Sequence, residues 1–132
     1  MKYLQTQLQE TFGNVCLALC YFAASTDMKN DNVSDVFEMF SKGIKEGSLR
    51  EDGYVIDGDK WCSTCSGKKC VVKKEPLPDS RSVYSAVRYE LNGNAHWVLY
   101  KNKKLIWNPL KESKCVNYGT PRFDDVRSIY FI

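Results

Sequence analysis

Several things are missing from this chain, and each absence narrows its class. There is no apolar run long enough to cross a bilayer. The longest, residues 15–24, falls far short of the roughly 20 residues a spanning helix needs. Residues 1–10 are polar and lack the apolar centre of a secretory signal, so a cytoplasmic location without a membrane partner is expected. There is only one histidine, no internal repeat and no low-complexity tract. There is also no arginine-rich stripe. Lysines do cluster at Lys68, Lys69, Lys73 and Lys74, and again at Lys101, Lys103, Lys104, Lys111 and Lys114. Carboxylates are interspersed elsewhere and the net charge is only +3, so nucleic acid is a disfavoured partner.

What is present is ordinary for a globular protein. Hydrophobic residues make up 43% and charged residues 27% of 132 residues, which reads as one domain over residues 1–132. A chain of this size buries roughly two thirds of the surface it exposes when unfolded, enough for a core without covalent staples. In a reducing compartment the six cysteines read as thiols, metal ligands or catalytic groups before they read as disulfides.

The periodicity changes along the chain. Leu4, Leu8 and Phe12 mark a short helical lead-in, broken at Gly13 and Asn14. Residues 15–25 are apolar nearly all round, as in a buried helix. Asn32 or Ser34 caps a second helix, with Val33, Val36, Phe37, Phe40 and Ile44 on one face and Gly47 as its stop. Beyond Gly47, residues 54–56 read as a short strand, and residues 61–74 carry three cysteines and little periodicity. Residues 82–91, 95–100, 104–107 and 127–132 read as strands, with no helix among them. Helices followed by an antiparallel sheet predict an α+β class.

His96 lies on the strand 95–100, on one face with Val98 and Tyr100. A three-residue turn at 101–103 would set His96 opposite Asn108, with Cβ atoms about 4.5–5.5 Å apart. The amide oxygen would then fix one imidazole nitrogen and leave the other free as a base. A two-residue turn would set Pro109 opposite instead. A cysteine nucleophile needs its thiol acidified, as the first turn of a helix can do. Cys16 occupies that place, and Cys20 lies one turn deeper. The alternative reading is that both are small core hydrophobes.

The order cysteine at the start of an apolar helix, His96-Trp97-Val98 on a strand, then Trp107-Asn108-Pro109 on the next resembles the papain-like cysteine hydrolases. Residues 13–19 are similar to the segment after the nucleophile in double-glycine leader peptidases. A closer likeness is to a small family of short bacterial and phage proteins ascribed a papain-like fold. That family has an aromatic-Gly-Cys at the helix start, matched by Phe12-Gly13-Asn14. Its second helix runs into a Gly-rich acidic turn with Tyr-Val, matched by residues 43–47 and Asp52-Gly53-Tyr54-Val55. Its His and Asp-Pro pair is matched by His96 and Asn108-Pro109.

The resemblance implies a papain-like fold with N-terminal helices on an antiparallel sheet, apart from a Cys-rich insert at about residues 58–75. It also implies a nucleophile, a base and an orienting residue. Here the nucleophile position falls on Asn14, or near Phe12 by the leader-peptidase alignment, and neither can attack a carbonyl. Asn108 is compatible with the third role, which papain fills with Asn. Either Cys16 takes over, with Gln9 as the oxyanion donor, or the site is dead. Two helical residues turn a side chain by about 200°, which points Cys16 away from His96 and favours a pseudoenzyme.

Cys62, Cys65 and Cys70 resemble half of a zinc knuckle. A surface loop with free thiols is the favoured reading of the segment, and a redox dithiol at Cys62 and Cys65 the least favoured, because that motif normally opens a helix in a βαβ setting. Three functions follow from these readings. The first is a degenerate papain-type domain that binds or inhibits a protein or peptide. The second is an active cysteine peptidase or amidase using Cys16, His96 and Asn108. The third is a small zinc-containing nucleic-acid binder.

Overall fold

The computed structural model describes residues 5–30 and 32–132. Five helices and five strands appear in the order α1 (Gln5–Thr11), α2 (Cys16–Ser25), α3 (Val33–Glu46), α4 (Gly58–Ser66), β1 (Cys70–Lys74), β2 (Tyr84–Leu91), β3 (Asn94–Lys101), β4 (Lys104–Trp107), α5 (Lys114–Tyr118) and β5 (Thr120–Phe131). The strands form one antiparallel sheet ordered β1-β5-β2-β3-β4, so β1 and β4 are its outer strands. The α+β class is as expected. Among the described residues no helix is long and apolar enough to cross a membrane.

The ends of α3 follow the chemistry of its termini. Asn32 accepts the Asp35 N–H, and Gly47 closes the helix at φ +84°, a left-handed conformation that glycine takes without strain. Its stripe of Val36 and Phe40 is buried. The second half differs from the sequence reading. Residues 58–66 form α4, started by the Asp57 carboxylate on the Lys60 N–H and ended at Gly67. Cys70–Lys74 is a strand, β1. α5 follows β4, and β5 starts at Thr120, seven residues before the expected strand. Residues 54–56 make only a single bridge, Val55 to Leu49.

The sheet separates two apolar clusters. On one face Ala86, Trp97, Leu99, Trp107 and Ile129 pack with α2, α4 and the Phe40 end of α3. Trp61 is fully buried there, edge-on to Phe40 at 5.2 Å between ring centroids. On the other face Val87, Val98, Tyr100 and Val126 form a smaller cluster covered by Leu77 and Val116 of α5. Alternation along β3 therefore assigns Trp97 and Leu99 to the α2 face, and His96, Val98 and Tyr100 to the α5 face.

Candidate functional site

The β3–β4 hairpin turns on two residues, Asn102 and Lys103, both at positive φ, so Lys101 pairs with Lys104. That turn alone would place Pro109 opposite His96. The register then shifts by one residue between Tyr100 and Leu99, and β4 ends at Trp107. Asn108 lies beyond the ladder, and its Oδ1 sits 2.7 Å from Nε2 of His96. The shift runs away from the register in which His96 and Asn108 are directly opposed; continued past Trp107 it sets Asn108 across from Val98, on the His96 face, and the two side chains meet diagonally.

The tautomer follows from a second bond. Asn108 Oδ1 also accepts the Leu110 N–H at 3.0 Å. An N–H can only donate, so the atom there is oxygen, and Nε2 of His96 must carry the proton. Nδ1 is left as the unprotonated nitrogen. His96 is buried, and burial lowers its pKa while the bond to Asn108 opposes the shift. The imidazole is therefore neutral at neutral pH.

This has a measurable consequence. The folded chain binds the His96 proton less tightly than the unfolded chain, so between the two pKa values stability rises with pH. Nothing is lost above pH about 6.5; below it, stability falls by up to about 1.4 kcal/mol per pH unit until the folded pKa is reached. Urea midpoints from pH 7.5 down to 5 should fall more steeply for the native chain than for His96→Gln. Parallel slopes would contradict a buried neutral imidazole.

Cys16 is the first residue of α2, with Val15 as its N-cap and no side chain capping the helix. Asn14 lies before the helix and donates its backbone N–H to the Asp52 carbonyl at 2.7 Å. The helical rotation expected between positions 14 and 16 therefore does not apply. The Cys16 thiol is partly buried and its pKa is raised by desolvation, an effect that the backbone N–H of Trp97 only partly opposes. Among the described residues no hydrogen bond joins it to His96. Cys16 lines a cavity of about 220 Å³ with Asn14, Tyr54, Arg88, Trp97 and Arg127. Ala95 and Trp97, the neighbours of His96 on either side, line this cavity as well, so its β3 wall is the face turned away from His96.

The two arginines are what sequence reading missed. Arg88 is register partner to Trp97 across β2 and β3. The guanidinium groups of Arg127 and Arg88 lie 4.9 and 5.9 Å from the Trp97 ring centre. Asp125, almost fully buried, lies 3.4 Å from each of them. The visible signal was the alternation Ala86-Arg88-Glu90, a charged end to an apolar strand face. Gln9 is not in this cavity. It is exposed on α1, where its Oε1 accepts from Gln5 Nε2 at 3.0 Å. Gln5 is the buried glutamine, and its backbone N–H reaches the Pro109 carbonyl at 3.4 Å.

The second cysteine cluster is a core feature. Cys62 and Cys65 lie one turn apart on α4 and Cys70 opens β1; all three are buried. Burial pushes the Cys62 thiol up to about 12 and Cys65 higher still. Cys70 Sγ lies 3.2 Å from Ser66 Oγ. Among the described residues no three His, Cys, Asp or Glu side chains converge to hold a metal. Cys62, Cys65 and Cys70, weighed in the sequence as a zinc set, do not form such a group. The cysteines read as ligands occupy apolar helix and strand positions facing the core.

Compared with protein-family models, curated protein sequences and solved structures, the chain gives no match.

Proposed function

We propose that this chain is a papain-type cysteine-hydrolase domain that has lost its nucleophile and acts as a binding or inhibitory protein toward a protein or peptide. The observation that carries the reading is the His96–Asn108 pair. Base and orienter are hydrogen-bonded and set in one tautomer, yet the Cys16 thiol makes no bond to them. The position that the resemblance assigns to the nucleophile holds Asn14, whose amide cannot attack a carbonyl. The Cys16 thiol is biased toward its protonated, unreactive form. The cavity around it, with Tyr54, Trp97 and two arginines, retains the aromatic and cationic side chains enriched where proteins bind one another.

Positional thiol reactivity tests this. Folded protein is treated with limiting iodoacetamide at pH 6 and at pH 8, and labelled cysteines are mapped by mass spectrometry beside His96→Ala. Cys16 should label slowly at pH 6, and about tenfold or more faster at pH 8 as the thiolate fraction grows. His96→Ala should leave its rate within about twofold of the native value. Fast labelling of Cys16 at pH 6 that collapses in His96→Ala would mean an activated thiolate, and would replace this reading with an active peptidase or amidase using Cys16, His96 and Asn108.

A further inference from the structure

A second cavity lies away from the cleft and shares no lining residue with it. At about 400 Å³ it is the larger of the two, within the usual range for small-molecule sites. It sits where three strands and two helices end. Tyr84 opens β2, Lys101 closes β3 and Phe131 closes β5; Ser25 ends α2 and Ser66 ends α4. Asp27, Lys68 and Ser82 complete the wall.

The wall carries more hydrogen-bond donors than the chain can use. Lys68 and Lys101 form no salt bridge among the described residues. The Lys101 ammonium lies over the Tyr84 ring at 4.3 Å, an arrangement that leaves its N–H groups free to donate. Ser25 is 7% exposed, and its Oγ has no hydrogen-bond partner. Its neighbour toward the core is the Cys62 thiol, a weak partner at best. Its Oγ is sealed from the cavity as well as from solvent, so the cavity's free donors are the two lysines. The single carboxylate on the wall is already engaged. Asp27 accepts the Tyr84 hydroxyl at 2.5 Å and pairs with Lys29 at 3.6 Å. The cavity therefore offers two ammonium groups outside any salt bridge among the described residues, with few free acceptors. Phe131 supplies an apolar wall, and the volume exceeds that of a bare inorganic anion.

We propose that this cavity binds a small organic oxyanion, a phosphate monoester or a carboxylate on a ring-sized apolar body. The anion would take hydrogen bonds from Lys68 and Lys101, and the ring would lie against Phe131. The inference does not depend on the function proposed for the Cys16 cleft, and either can fail alone.

The test is an amide-shift titration of the full chain with phenyl phosphate, with benzoate and with phenol as the uncharged control. At least one anion should shift the amides of Ser25, Asp27, Lys68, Tyr84 and Lys101 and saturate below roughly 10 mM; phenol should do neither. Lys68→Met and Lys101→Met should each weaken that binding about fivefold or more. Lys68 is exposed, so its variant keeps the fold and keeps the test decisive. Saturation by phenyl phosphate alone identifies a phosphate ester, and saturation by benzoate alone a carboxylate. Equal response to phenol, shifts elsewhere only, or binding unchanged in both lysine variants would overturn the site.

Discussion

Trp61→Ala should lose about 3–5 kcal/mol of folding stability, the range for removing a large buried aromatic. Trp61 is fully buried, its Nε1 donates to the Ala18 carbonyl at 3.0 Å, and its ring edge closes on Phe40. The ring also fills the space above Gly43, where an added Cβ would lie 2.6 Å from Trp61 Cζ3. One side chain thus joins α2, α3 and α4. A loss of that size is a large part of the 5–15 kcal/mol that holds an ordinary domain together. The urea midpoint should fall by about 2 M for a typical slope, and the variant should be partly unfolded at 37 °C. Trp61→Phe keeps most of the apolar contact and drops the hydrogen bond, so it should cost far less. A Trp61→Ala loss below about 1 kcal/mol would show that the three helices do not depend on this residue.

Gly119→Ala should be nearly as damaging, but locally. Gly119 has an ordinary extended backbone at φ −91°, so the problem is space alone. An added Cβ would lie 2.2 Å from the Cys115 carbonyl oxygen and 2.4 Å from that of Glu90. Both are backbone atoms, which cannot rotate away as a side chain would. Either α5 lifts from the sheet or β5 moves off β2. Overpacking of this kind costs about 1–3 kcal/mol and sometimes more. Because α5 holds Val116 over Val87 and Val98, amide exchange should accelerate in residues 87–98 while α3 and α4 stay protected. Uniform acceleration across the chain would mean that α5 is part of the global folding unit instead.

The elements legible in the sequence were those whose signals were local. α3 had its cap, its stripe and its terminal glycine in plain order. The starts of β2, β3 and β4 were visible from alternation. α4 was missed because Asp57-Gly58-Asp59 has turn composition and because Cys62 and Cys65 were read as chemistry. In place they are apolar positions on the same buried side of α4 as Trp61. The early start of β5 depends on pairing of Arg122 and Pro121 with β2 across an irregular register, a non-local fact. The candidate site divides in the same way. That His96 and Asn108 could meet was readable from their spacing, but the two-residue turn, the shifted register and the diagonal contact were not. Cys16 at a helix start was readable. The cavity of Arg88, Trp97 and Arg127 around it was not, because it is assembled from three strands by tertiary packing.

The lysines that looked in sequence like polyanion contacts acquire another consequence from the order of the sheet. β4 is an outer strand, a template onto which another chain's strand can add, whereas on β1, the other outer strand, α4 already occupies the edge, with Asp59 accepting the Val72 N–H and Ser63 the Cys70 N–H. Lys73 and Lys74 occupy the end of β1. Lys103 and Lys104 stand at the start of β4, only four residues long. Pro109, two residues past its end, has no N–H to offer a neighbour. A second copy docking on β4 would bring like charges together where the ladder has to begin. The exposed Leu105 and Ile106 on β4 make that protection necessary. Replacing Lys104 with an apolar residue should promote pairing of two copies through β4, read as a mass in solution that rises with concentration more steeply than for the native chain.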